Sequence, residues 1–366
     1  MPRMPQATLR TTRHDGGDSR HGMPVPLSLT ALGGLLFSTG WYTRQRTKRI
    51  ERRHSPAGRF VPVDGARLHI LDEGPRQGRA IVFLHGIATM GIDFTLTGTP
   101  GRLAEGGYRC LSVDRPGYGH STRARGIIWT AWRQGQAVWQ ALDRLGIDHP
   151  ILVGHSFGTQ VALSMAAQRP GHVAGQVLIS GYYFPTPRIE PYTLGLGAVP
   201  VLGDLLAHTI DPLLMRASLP LQIKAIFSPR PVPTVHRRYW PMDLAERPSQ
   251  IRAFAEDWAV LIAGASTLVP LYRQITTPTI LLHGTADRVS DAETQSARLS
   301  RRLPNADLEL LPGEGHMPHY GRKDRVMRAI TRILRVSDGA RPPDQMPPSR
   351  MPLAAGAASR AAAPTV

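Results

Sequence analysis

The sequence predicts an α/β fold: a mostly parallel sheet flanked by helices, with an inserted helical cap. Three observations predict it. Short, continuously apolar runs recur along the chain, as strands buried on both faces require. Segments with helical apolar spacing alternate with them, the pattern of a parallel sheet covered on both sides. One interval, at about 182–276, breaks this rhythm while keeping apolar helical stretches punctuated by Pro. A structureless loop of that length is foreign to a compact domain, so the interval is expected to fold as a mainly helical cap.

The elements follow in order. Phe60–Val63 and Ala66–Leu71 are short alternating runs about the Asp64-Gly65 turn, a hairpin signal. Ala80–Leu84 (AIVFL), Arg109–Val113 (RCLSV), Ile151–Val153 (ILV), Val177–Ile179 (VLI), Thr279–Leu282 (TILL) and Leu308–Leu311 (LELL) are the buried-strand runs. Thr130–Leu145 sets Trp132, Val138, Trp139, Leu142 and Leu145 at helical spacing, and Phe157–Gln168, Asp291–Leu303 and Lys323–Leu334 are the other helices expected. Within the cap, Leu202–Ala207 and Ile251–Ile262 are helical stretches. The body therefore covers residues 60–336.

The ends have a different character. Residues 1–21 mix Arg, His, Asp, Gly and Thr without an apolar period and are expected to form a disordered basic arm. Residues 22–43 are uncharged, close to the roughly 20 residues that a membrane-spanning helix needs. Trp41 and Tyr42 stand where an interfacial belt would, directly before Arg44, Arg46, Lys48, Arg49, Arg52 and Arg53 in a basic linker at 44–59. We expect 22–43 to be a transmembrane or membrane-anchor helix. An interfacial or soluble arm and a cleaved signal peptide are the competing readings. Four basic residues precede the segment and seven follow it, which favours a cytoplasmic body; a soluble cytoplasmic protein is the alternative. Residues 337–366, with six Pro, eight Ala and no aromatic residue, are expected to be a disordered tail.

Charge supports this division. The chain carries 44 Lys+Arg against 27 Asp+Glu, a net +17. Residues 1–59 hold 11 basic and 3 acidic side chains, whereas residues 60–336 spread 30 and 22 over a far longer stretch. The excess belongs to the N-terminal segment, and the body gives no reason to expect a nucleic-acid partner. A single cysteine, Cys110, excludes an intramolecular disulfide framework and a multi-cysteine zinc site. Within its strand it reads as a small core residue.

Gly154-His155-Ser156-Phe157-Gly158 follows the ILV strand and opens a helix. A G-x-S-x-G turn holds the serine in a strained conformation that small flanking residues permit, and lifts it clear of the sheet. Serine at its ordinary pKa is a poor nucleophile; it needs a base, and the base needs an orienting acid. Asp287 follows the TILLHG strand and His316 follows the LELL strand, and catalysts in open α/β sheets gather at such carboxyl ends. Two backbone N–H groups would hold an oxyanion: that of Phe157, after the serine, and that of Ile87 in His85-Gly86-Ile87.

These motifs, with DRPGYGHS at 114–121, HGTADRV at 283–289 and GEGHMPH at 313–319, resemble the α/β-hydrolase superfamily in its serine-nucleophile, capped, esterase/lipase/haloperoxidase-like branch. The resemblance covers roughly residues 60–336. It implies a Ser156–Asp287–His316 triad, no cofactor and no metal. Serine at the elbow departs from the epoxide-hydrolase and haloalkane-dehalogenase pattern, which requires Asp there. His319 is the alternative base, and Asp204, Asp211 and Asp257 are alternative acids. His85 and His155 are expected to hydrogen-bond locally, Asp114 to fix a turn with Arg115, and Glu314 to lie in a solvated loop. Tyr182, Tyr183 and Trp240 are candidates for pocket lining. The expected activity is hydrolysis of a small hydrophobic ester or lipid-like acyl substrate through an acyl-enzyme. Carbon–carbon bond hydrolysis or perhydrolysis with the same triad is the alternative, and a non-catalytic membrane-tethered binding protein is the alternative outside enzymes. Oligomeric state is left open.

Overall fold

The computed structural model describes residues 25–337. The expectations for residues 1–21, and for the tail beyond Ser337, lie outside them. The sheet has eight strands: β1 (Arg59–Val63), β2 (Ala66–Glu73), β3 (Ala80–Leu84), β4 (Arg109–Val113), β5 (Ile151–His155), β6 (Gly175–Ile179), β7 (Thr279–Gly284) and β8 (Ala306–Leu311). Their spatial order is β1-β2-β4-β3-β5-β6-β7-β8. β1 pairs antiparallel with β2 and β2 antiparallel with β4, and every other pairing is parallel. All residues of β3, β4, β5 and β6 are buried, which explains why apolar residues dominate them. In β3, Val82 and Leu84 enter the core on one face of the sheet while Ile81 and Phe83 enter the core on the other.

Helix α1 (Val25–Arg53) precedes the sheet, and α2 (Ile92–Thr97) and α3 (Thr99–Glu105) separate β3 from β4. Helix α4 (Ala131–Arg144) starts one residue after its predicted beginning because the Thr130 side chain accepts from the Arg133 N–H, an N-cap. Helix α5 (Phe157–Gln168) follows β5 directly. The cap comprises α6 (Glu190–Thr193), α7 (Leu202–Thr209), α8 (Asp211–Phe227), α9 (Thr234–Tyr239) and α10 (Pro248–Leu268). A π-helical turn at Glu293–Ala297 leads into α11 (Arg298–Ser300), and α12 (Pro318–Gly321) and α13 (Lys323–Ser337) close the chain.

The expected basic linker at 44–59 requires correction. Helix α1 is continuous through Arg53, and only the residues from His54 onward connect it to the sheet. Nothing between Arg44 and Arg53 breaks a helix, and the cap holds this half in place. Arg46 pairs with Glu246 at 2.6 Å, Arg53 pairs with Asp243 at 2.9 Å, and Ile50 is buried with Leu244 and Trp240. Pro56 lies just beyond the end, where a proline is compatible with termination.

Pro248–Gln274 is, among the described residues, the one helical stretch long and apolar enough to cross a membrane. It is a packed element of the cap: Phe254, Asp257, Leu261, Ala265 and Leu268 are all buried on it.

Candidate active site

Ser156 sits at the β5–α5 turn with φ +51 and ψ −122, a strained conformation for a non-glycine residue. The flanking glycines make this turn sterically feasible. A Cβ on Gly158 would stand 2.0 Å from the Leu84 carbonyl oxygen, and one on Gly154 would stand 2.8 Å from that of Gly158.

The Ser156 hydroxyl lies 3.0 Å from His316 Nε2, and His316 Nδ1 lies 2.8 Å from Asp287 Oδ2. With Nδ1–H donating to the carboxylate, Nε2 is left to accept from the serine. Asp287 Oδ1 accepts from the N–H groups of Val289 at 2.8 Å and Ser290 at 3.1 Å, and Oδ2 accepts from the Ser290 hydroxyl at 3.2 Å. Burial by itself would raise the Asp287 pKa. The neighbouring His316 charge and hydrogen bonds from His283 and His316 outweigh it and hold the carboxyl well below the usual range. The structure thus brings the three predicted side chains together from three strand ends.

The loop after β3 passes against the serine. A Cβ on Gly86 would stand 2.9 Å from Ser156 Cβ, so only glycine admits this approach. Arg115, fully buried, fixes the loop from behind: Nε donates to the His85 carbonyl and Nη2 to the Gly86 carbonyl, both at 2.8 Å. Ile87 follows on the same loop and lines the cavity beside Ser156. Phe157 begins α5, so its N–H has no intrahelical acceptor.

The remaining candidates have other partners. His85 Nε2 accepts the Arg115 N–H at 2.9 Å, and burial pushes its pKa down to about 3. His155 Nε2 donates to the His316 carbonyl at 2.9 Å, and burial holds it neutral. His319 packs 4.5 Å from the His155 ring and 5.2 Å from Phe94, pushed down to about 3 by burial. Asp114 accepts from His69 Nδ1 and the Gly91 N–H, both at 2.8 Å, which is a turn-fixing role. Asp257 pairs with Arg115 and Arg123, Asp204 pairs with Arg125, and Asp211 opens α8. Glu314 corrects the expectation of a solvated loop: its side chain is buried and salt-bridged to Arg230 at 2.6 Å.

A cavity of about 120 Å³ reaches Ser156 and His316 beneath the cap, walled by Tyr182, Leu219, Ile223 and Trp258. Of the three aromatic candidates only Tyr182 lines it. Tyr183 is buried beside Tyr272, and Trp240 stacks on His236. Arg188 and Gln222 line the cavity without having been singled out in the sequence. The sequence signal for Arg188 is its place in the connection from β6 to the cap, just before α6. Gln222 carries no comparable signal. A larger hollow of about 490 Å³, between the 125–129 loop and Gly197–Val201, is lined by Asp204 and touches neither the triad nor the 85–87 loop.

This sheet, its elbow and its strand-end side chains define a hydrolase scaffold. The family model for the alpha/beta hydrolase fold matches residues 79–322, and the chain belongs to that family. Haloalkane dehalogenase 2 of Mycobacterium bovis is 26% identical over 281 residues, covering 74% of this chain and 93% of the relative. The 2-hydroxymuconate semialdehyde hydrolase of Pseudomonas putida is 26% identical over 300 residues, covering 77% and 95%. Among solved structures, a bacterial membrane phospholipase A shares the fold with a TM-score of 0.59 at 21% identity, covering 86% of this chain and 98% of the other.

Proposed function

We propose that the protein is a serine hydrolase that cleaves carboxylic esters of hydrophobic acyl groups through an acyl-enzyme. The observation that carries this is the continuous hydrogen-bond line from Asp287 through His316 to the Ser156 hydroxyl. His316 takes the serine proton as the oxygen attacks the carbonyl, and the Ile87 and Phe157 N–H groups receive the oxyanion. His316 then protonates the leaving alcohol, and water repeats the sequence on the acyl group. Asp287 holds the imidazole tautomer.

The serine also argues against the chemistry named for the dehalogenase relative. A carboxylate alkylated by a haloalkane becomes an ester that water can open, whereas an alkylated serine is an ether with no carbonyl to attack. Carbon–carbon bond hydrolysis is the second reading. It is favoured by the Pseudomonas putida relative and by Arg188, a cavity-lining cation that a substrate carboxylate would share with Glu190 and the Val289 carbonyl. Membrane attachment is part of the proposal: Leu32, Leu35 and Phe37 of α1 are exposed on an uncharged stretch, and the basic residues after it favour a cytoplasmic body.

The test is labelling by a fluorophosphonate probe together with turnover of p-nitrophenyl esters of graded chain length. Labelling at Ser156 is expected in the native chain and absent in Ser156→Ala, with turnover down about 10⁶-fold. A native chain that neither labels nor hydrolyses any ester would sink the proposal.

A further inference from the structure

We propose that the outward face of α7 and α8 is a bilayer-docking surface, and that the active-site cavity opens through it toward lipid. This rests on the ester-hydrolase reading for its consequence, though not for its geometry.

Helix α8 is apolar on both sides. Its inner residues Leu219 and Ile223 wall the cavity at Ser156, while Leu213, Leu214 and Leu221 on the other side are exposed, Leu221 by 70%. Apolar residues on the outer side of a helix call for an apolar partner there as well, and on α8 they stand beside the exposed Arg216 and Lys224. The face continues onto α7 and the turn before it through Leu205, Leu202 and Val201, the last 81% exposed. Exposed apolar surface of this extent marks an interaction site. Leu194, at the end of α6, lines the cavity and is 40% exposed, so the cavity reaches the cap surface there.

Two features favour an anionic bilayer over a second copy of the chain. Helix α1 packs on α7, with Gly40 close to the His208 carbonyl, so the face is continuous with the uncharged stretch that carries Phe37, 76% exposed. Arg216 and Lys224 of α8 are exposed, and Arg44, Lys48 and Arg49 are exposed on α1, the helix that packs on α7. The acids of the hairpin are Asp204, already paired with Arg125, and Asp211 at the start of α8. Basic and apolar residues on one surface suit anionic lipid headgroups, whereas two copies would bring like charges together. The small cavity is consistent with this route: about 120 Å³ accommodates a short piece of acyl chain at Ser156, with the remainder directed past Leu194 into lipid.

The test places an environment-sensitive fluorophore on full-length Leu214→Cys, with Arg302→Cys as the control at an exposed site away from the cap. Cys110 is buried, with its thiol pushed up to about 12, and stays unlabelled. In phosphatidylglycerol-containing vesicles the label at 214 is expected to shift blue and to be quenched at least several-fold by nitroxide lipids, and the label at 302 is not. Leu205→Glu/Leu214→Glu/Leu221→Glu is expected to lower turnover of a vesicle-presented long-chain ester at least tenfold with p-nitrophenyl butyrate turnover unchanged. Equal quenching at 214 and 302, or an unchanged vesicle-ester rate, overturns the docking proposal. So does a label at 214 that is shielded without vesicles in a concentration-dependent way, the signature of a second copy. Loss of butyrate turnover in the native chain instead overturns the esterase reading and leaves the quenching result to stand by itself.

Discussion

Arg115 and Asp257 form a fully buried ion pair, Nη1 to Oδ2 at 2.6 Å, that joins the end of β4 to cap helix α10. The same guanidinium holds the His85 and Gly86 carbonyls and donates to Gln134 Oε1 at 2.7 Å. Cap position and oxyanion-loop orientation therefore share one cation. Removing a single partner strands a buried charge, and Asp257→Leu should destabilise by about 3–5 kcal/mol in denaturant unfolding. The double variant Arg115→Met/Asp257→Leu should recover part of that stability, since Arg115 no longer lies unpaired, while Arg123, also bound to Asp257 at 2.8 Å, keeps only Glu256. Ester turnover should nonetheless stay about 10²-fold low, because the loop has lost its clamp. A double variant with native turnover would show that Arg115 serves stability alone.

Two glycines separate folding from chemistry. At Gly158 an added methyl meets backbone, the Leu84 carbonyl oxygen at 2.0 Å, and nothing flexible can yield. Gly158→Ala should fall in thermal stability by the upper range of overpacking, about 3 kcal/mol. At Gly86 the methyl meets the Ser156 side chain, with Cβ at 2.9 Å and Oγ at 3.4 Å. Gly86→Ala should retain its melting temperature within a few degrees yet lose kcat with little change in KM for a short ester.

The elements around the site were legible because local rules sufficed there. A fully buried parallel strand is dominated by apolar residues, so the apolar stretches of β3 through β6 announce themselves, and the elbow needs glycine at fixed offsets from Ser156. What escaped depends on distant partners. Residues 44–53 read as part of a basic linker because Glu246 and Asp243, about 200 positions away, anchor their side chains. Glu314 read as solvated because Arg230 comes from a segment before α9. Arg115 read as a turn residue because its carboxylate sits on α10. Each of these three misses is a long-range ion pair, invisible to periodicity and spacing; Arg188 and Gln222 escaped because the cavity they line forms only when the cap folds over the sheet.

The two histidines of the GEGHMPH segment should separate cleanly. His316 reaches Ser156, whereas His319 is enclosed by His155, Phe94 and Tyr320. His316→Gln should lose about 10⁶-fold in turnover and Asp287→Asn about 10⁴-fold, while His319→Gln should stay within a few-fold of native. His319 also carries a stability signature. Its folded pKa of about 3 lies below the unfolded value, so the unfolded chain takes a proton first as pH falls. Its contribution is present above about pH 6.5 and lost progressively below it. His319→Gln should therefore lose less stability than the native chain between pH 6.5 and pH 4.

Asp93 should show the opposite slope. Its carboxyl is buried, accepts from the Tyr320 hydroxyl at 2.9 Å and faces His236 Nε2 at 3.8 Å, and burial pushes its pKa up to about 6. Burial also lowers His236 to about 4, so no charged partner offsets the carboxylate near neutrality. A folded pKa above the unfolded value means that the folded state keeps its proton longer as pH rises. Stability from this residue is then greatest below about pH 4 and is lost by about pH 6, an effect of about 3 kcal/mol at 1.36 kcal/mol per pH unit. The buried histidines titrate in the native chain and in Asp93→Asn alike, so the difference between the two isolates Asp93. Unfolding free energies measured from pH 4 to pH 7 should show Asp93→Asn gaining about 3 kcal/mol relative to the native chain across that range. A difference that stays flat with pH would mean that Asp93 is ionised in the folded protein throughout.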